Sequence, residues 1–233
     1  MTKMPAAVLL LVTACSDDPS ESCYPATVQA SRCDPALATF SLASTNRYYP
    51  LRVGSEVVIE GVDEGATIRV ERRVLSETQV VLGVTTHVLE AKEFIDGALY
   101  EVARNFYVEA ADGTVCYFGE DVSFYENGVV ANHDGSWRAG EGDAMPGVIM
   151  PSAPSVGDAY FQENAPGVAR DMGRIASTTE SLAFDGVTHD DVVMIMDTNP
   201  LESCADEEPK LYIPGIGESA DTVKTITSFV PGA

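Results

Sequence analysis

From Asn46 onward the chain reads in β-type runs of apolar and polar positions, with no sustained helical repeat. Val57-Val58-Ile59 is a β-branched run. Ala66 to Leu75 alternates strictly enough to predict a strand with one buried face. Gln79–Leu82 and Thr85–Phe94 continue the pattern, with a break or bulge expected at Gly83. Three two-residue turn signals follow: Asp96-Gly97, Asp112-Gly113 and Asn127-Gly128, each between β-type segments. So many turns in so short a span predict a meander of antiparallel strands.

Residues 135–157 interrupt the pattern with a Gly- and Pro-rich stretch that contains the sole tryptophan, Trp137. Strand-like segments resume at 158–163, 168–177, 181–184, 192–197, 210–214 and 222–230. Only Ala169 to Ser177 has a pattern that also suits a helix. One helical turn is expected around Pro35 to Phe40. The expected fold is all-β, an antiparallel meander forming a single strongly curved sheet or half-open barrel with little helix. No internal repeat or linker divides residues 46–233, which read as a single β domain.

Composition sharpens this. The chain has 233 residues, 45% of them hydrophobic, enough for a substantial core. Its formal charge is −22, with 36 acidic residues scattered against 14 basic ones. Nucleic acid is a poor partner for such a surface, because phosphate binding needs clustered Lys and Arg. Carboxylates also suit hard cations, so calcium is a candidate cofactor.

The N-terminus adds location. Lys3 precedes the apolar run Ala6–Val12, and small residues lead into Cys15, followed by polar Ser16-Asp17-Asp18-Pro19. The run is too short to span a bilayer, which takes about 20 residues. It resembles a bacterial lipoprotein signal, which implies removal of residues 1–14, lipidation of Cys15 and membrane attachment through that lipid. Residues 15–45 then form a tether and a disulfide-capped leading segment. The expected location is the cell envelope, at the outer membrane or cell surface, as Ser16 after the cysteine implies.

Cys23, Cys33, Cys116 and Cys204 remain, an even number that suggests disulfides in an exported chain. Three connectivities are possible. The nearest pairing in sequence is Cys23 with Cys33, leaving Cys116 with Cys204. No Cys or His spacing suits a zinc site.

A longer series resembles a group of exported, β-rich bacterial proteins. It runs Tyr117-Phe-Gly-Glu-Asp121, Gly135-Ser-Trp137, Pro146-Gly147, Met150-Pro151, Val156-Gly-Asp158, Pro200-Leu-Glu202 and Pro214-Gly-Ile-Gly217. The resemblance covers about residues 46–218 and carries over no catalytic role. It implies a cysteine near Val192 that would pair with the one at the position of Cys116, so Cys204 would be a relocated partner.

Three sets of residues are candidates for chemistry. Glu120 and Asp121 end a strand, and with Glu126 and Asp134 they could form an oxygen-ligand metal site, although alternation sends the first two to opposite faces. Glu163 and Asp171 flank Asn164-Ala-Pro-Gly167 and would face one another across a hairpin, as a carboxylate pair for hydrolysis requires. Trp137, Met145, Ile149 and Met150 could line a ligand site, with residues 137–150 near its mouth, or plug one end of the sheet. The three histidines lie in no catalytic motif, and no phosphate-binding glycine loop is present.

The leading expectation is therefore a non-enzymatic, lipid-anchored extracytoplasmic domain that binds a small molecule, lipid, sugar or protein partner. The alternatives are an extracytoplasmic hydrolase or lyase using paired carboxylates, and a calcium-stabilised surface scaffold.

Overall fold

The computed structural model describes residues 22–233. The expected signal peptide 1–14 and the lipidation residue Cys15 lie outside the described residues.

Turn chemistry sets the strand boundaries. Asp96 and Gly97 both take positive φ, 48° and 79°, as do Asn127 and Gly128 at 52° and 78°. This left-handed pair matches the twist of a tight hairpin. Leu82 and Gly83 do the same at 50° and 78°. The break expected at Gly83 is thus a hairpin turn and not a bulge, and Glu64-Gly65 and Asp185-Gly186 are turns of the same kind.

The strands in order are β1 (Phe40–Ser41), β2 (Glu56–Asp63), β3 (Ala66–Val81), β4 (Val84–Ile95), β5 (Ala98–Ala110), β6 (Val115–Glu126) and β7 (Val129–Asn132). After them come the short β8 (Trp137–Arg138), β9 (Gly147–Met150) and β10 (Ala159–Phe161). The last group is β11 (Met172–Phe184), β12 (Val187–Asn199), β13 (Ser203–Ile213), β14 (Gly217–Ala220) and β15 (Lys224–Val230). The segment with the ambiguous pattern is a strand, since β11 begins at Met172. The one helical element among the described residues is a 3-10 turn at Ala30–Cys33, upstream of the expected position.

All strands join one antiparallel sheet in the order β10-β11-β12-β13-β14-β15-β2-β3-β4-β5-β6-β7. The chain thus makes two meanders, and β15 pairs with β2 to join them. Strands β8 and β9 fold back onto β6. The sheet curls strongly without closing into a barrel. At the open seam β9 lies beside β10, and a Cβ on Gly147 would meet the Gln162 carbonyl oxygen at 2.0 Å. Only glycine permits that approach.

The main core includes Phe106, Phe118, Tyr160, Ile175 and Tyr212, all almost fully buried. A second cluster, Val57, Ile59, Val192, Ile213 and Ile226, packs where β12 and β13 lie near the β15–β2 junction.

The disulfides correct the pairing by proximity. Cys23 bonds to Cys204 and Cys33 bonds to Cys116. Val192 is buried in the second cluster. Both bonds leave the same N-terminal strap, one for each half of the sheet. Between them Thr27 and Val28 donate backbone N–H bonds to the Ala159 carbonyl of β10, at 2.8 and 3.1 Å. The strap therefore laces the open seam. Two disulfides mark a domain of an oxidising, extracytoplasmic compartment. No helix among the described residues is long and apolar enough to cross a membrane.

Candidate functional site

Strand curvature brings both halves of the sheet around a polar cavity of about 290 Å³. Six acids line it against two bases: Glu101, Glu120, Glu163, Asp171, Asp197 and Glu218 against Arg72 and Lys210. Each inward group follows from strand alternation. Arg72 is in phase with Ile68 and Val74 on β3, and Asp197 with Val193 and Ile195 on β12. Lys210 is in phase with Tyr212 on β13, and Glu120 with Val122 on β6, where a bulge at residues 117–120 brings Tyr117 onto the same face. Glu163 and Asp171 come from the β10–β11 connection, where the Glu163 N–H donates to the Asp171 carbonyl at 3.2 Å.

Both bases are already committed. Lys210 Nζ lies 2.7 Å from Asp197 Oδ2, and Gln162 Nε2 donates to Asp197 Oδ1 at 2.9 Å. Arg72 forms an ion pair with Glu218 and donates to the Tyr49 hydroxyl oxygen at 3.1 Å. Burial would lift the Glu218 carboxyl, but Arg72 and Lys210 outweigh it and hold it below its ordinary range. Burial disfavours the charged Lys210, yet Asp197 and Glu218 keep it protonated.

Glu120, Glu163 and Asp171 stand apart, with no ion pair to either base. Burial pushes Glu120 up to about 7. Burial, then the charge of Glu120, lifts Glu163 well above the usual carboxylate range. Burial and the neighbouring Glu163 push Asp171 up to about 7. Carboxyls this close cannot all ionise cheaply, and each of Glu120 and Glu163 raises the cost of charging the other. All three sit deep among protein atoms, yet each stays partly accessible from the cavity.

An aromatic wall supports the carboxyls. Tyr49, Tyr107, Tyr117 and Trp137 pack in sequence, with centroid separations of 5.2, 4.5 and 5.3 Å. The Tyr107 hydroxyl donates to Asn105 Oδ1 at 3.3 Å, and the Tyr117 hydroxyl donates to the same oxygen. Trp137 is directly opposite Glu120 in the β6–β8 ladder, so the two side chains share a face. Its indole N–H is turned toward Glu163 but makes no hydrogen bond of ordinary geometry. Asp171 Oδ1 is likewise without a donor.

Glu163 and Asp171 thus share the cavity with Glu120, whereas the proposed metal quartet does not assemble. Asp121 faces outward and accepts two bonds from Arg138 Nη2, at 2.7 and 2.8 Å. Glu126 and Asp134 are exposed on the following hairpin and turn. No group of three or more His, Cys, Asp or Glu among the described residues has the arrangement to hold a metal ion.

Of the apolar candidates, Ile149 lines the cavity, Met150 is fully buried in the core and Met145 is exposed outside it. His87 is buried, with Nε2 3.1 Å from the Leu42 carbonyl, and burial lowers its pKa. His133 bonds the Val122 carbonyl at 2.7 Å rather than Asp134.

Sequence reasoning missed Arg72, Lys210, Asp197, Glu218 and the tyrosine wall. A signal existed for the charged ones: each occupies a position in phase with apolar neighbours, where a solvated charge is not expected. A larger hollow of about 540 Å³ runs from Glu60 to Phe94. Its charges are ordinary paired ones, Arg69 with Glu60 and with Glu71, and it gathers no unpaired carboxyls. No family model, curated protein or solved structure matches the chain.

Proposed function

We propose that this is a lipid-anchored envelope domain of the exported β-rich group, which binds a small polar molecule in the cavity of its curved sheet. One observation carries the reading: three deep carboxyls face an accessible cavity while every cation there is committed elsewhere. A structural network would be expected to close on itself, because unpaired buried acids oppose folding. Polar groups converging in a recess beside aromatic rings are the usual anatomy of a ligand site. A lipid on Cys15 would attach close to the strap. Cys23 lies eight residues beyond it, a reach of at most about 29 Å.

The test is saturable binding by the purified protein, read from Trp137 fluorescence and melting temperature against amines, sugars and organic acids. Binding is expected to weaken about tenfold or more in Glu163→Gln, the loss of one charge-assisted contact. Saturable binding that both Glu163→Gln and Asp171→Asn leave untouched would place the ligand elsewhere.

A second reading, an acid–base hydrolase or lyase, is favoured by Glu120 and Glu163 sharing one cavity and by the Glu120 pKa near 7. Such a pair can both donate and accept a proton near neutral pH. Turnover lost in Glu163→Gln and kept in Asp121→Asn would support it.

A further inference from the structure

We propose that the cavity takes a small organic cation, a primary amine or diamine, with Glu120, Glu163 and Asp171 as its counter-ions. The inference rests on the reading of the cavity as a ligand site and names the ligand's chemistry.

Charge comes first. Six acids against two bases leave the cavity with a formal excess of four negative charges. Arg72 and Lys210 are held by Glu218 and Asp197, so neither is available to neutralise the other four acids, Glu101 and the deeper Glu120, Glu163 and Asp171. An anionic ligand would add to the excess, and a neutral one would leave it in place. A cation removes it and replaces the protons that the carboxyls otherwise carry.

Two further observations point to an occupant. Trp137 is 5% exposed, and its indole N–H is turned toward Glu163 without completing a hydrogen bond. Asp171 Oδ1 is buried and accepts from no donor. Local hydrogen bonding is therefore incomplete on both sides of the carboxyl cluster. An ammonium group supplies three N–H donors and no acceptor, which suits carboxylate oxygens left over in this way.

Size and lining separate an organic cation from a bare metal ion. The cavity holds about 290 Å³, many times the volume of one ion. Its carboxyls do not converge with metal-ligand geometry. Tyr49, Tyr107 and Tyr212 complete the lining and offer ring surface to an alkyl stem and its positive end.

The experiment is isothermal titration calorimetry at pH 7 on the full chain, with 1,4-diaminobutane as probe. Succinate, glucose and calcium chloride are the comparators, and two buffers of different ionisation enthalpy are used. The diamine is expected to bind saturably and to release protons, seen as a buffer-dependent heat. Affinity should fall about tenfold or more in Glu163→Gln and in Asp171→Asn, with circular dichroism as the check that each variant is folded. Asp121→Asn, on the outer face, should bind as the parent does.

If succinate or glucose binds and the diamine does not, the cationic ligand is refuted while the cavity stands as a site. If calcium binds and the diamine does not, the organic cation is likewise refuted. If no probe binds and none perturbs Trp137 fluorescence, both the cation and the ligand-site reading fail.

Discussion

Glu163 keeps its proton because burial and the adjacent Glu120 both oppose its charge. Glu120 and Asp171, at about 7, respond to similar forces. In each case the folded pKa lies above the unfolded one, so the folded state binds more protons between roughly pH 4.5 and 7. The stability these carboxyls contribute is complete below that window and is lost as pH rises through it. Glu218 runs the other way: Arg72 holds its pKa low, so its contribution is present above its ordinary pKa and lost as acid is added. Melting temperature is therefore expected to peak near pH 5 and to fall toward pH 8. Glu163→Gln should flatten that fall and raise stability at pH 8. A melting curve that stays level from pH 5 to 8 would contradict the raised pKa values.

Strand β6 shows how one element positions the site. Glycine at position 119 takes φ +132°, and a Cβ there would meet the Trp137 carbonyl oxygen at 2.4 Å. This lets β8 lie against β6, which sets Trp137 opposite Glu120. Gly119→Ala is expected to destabilise the protein by about 2–4 kcal/mol, through both the strained φ and the clash. A shift in Trp137 emission should accompany the loss as β8 moves. Chemical denaturation checks the magnitude, and an unchanged emission spectrum would show that β8 does not depend on this glycine. The hairpin after β6 was legible because Asn-Gly favours a left-handed pair, whereas at Asp112-Gly113 before β6 only Gly113 takes positive φ. Asp185-Gly186 carried the same signal, but polar Thr188 to Asp191 obscured the start of the strand that follows. Leu82-Gly83 lacked it, since leucine is a poor residue for positive φ.

At the scale of the molecule, the sheet stays open and the strap from Cys23 to Cys33 does the closing. In the chain-entropy description a disulfide spanning 83 or 181 residues contributes about 4–5 kcal/mol, less when both act on one chain. Cys23→Ser with Cys204→Ser is expected to cost about 2–5 kcal/mol. Hydrogen exchange should rise first at β9 and β10, where the seam lies, while β2–β3 stays protected. Loss of protection beginning at β2–β3 would show that the β15–β2 junction, not the seam, is the weak point. Sequence arithmetic supplied the even count of cysteines but not their partners. Nearness along the chain says nothing about which strand end the strap crosses.

The period-two pattern and the turn dipeptides determined an all-β antiparallel meander, because side-chain alternation and left-handed backbone preference are local properties. The sequence also nominated Glu120, Glu163 and Asp171, though Glu120 in the company of Asp121 rather than of the pair. Alternation already separated Glu120 from Asp121, and the structure placed them on opposite faces. Only the tertiary structure decided that the sheet curls far enough for β3, β6, β12 and β13 to share one cavity. It alone set Arg72 on Glu218 and Lys210 on Asp197, leaving Glu101, Glu120, Glu163 and Asp171 without an ion pair to either base. The reason is physical: pairing and burial depend on curvature and on contacts across more than a hundred residues, and no local pattern encodes either.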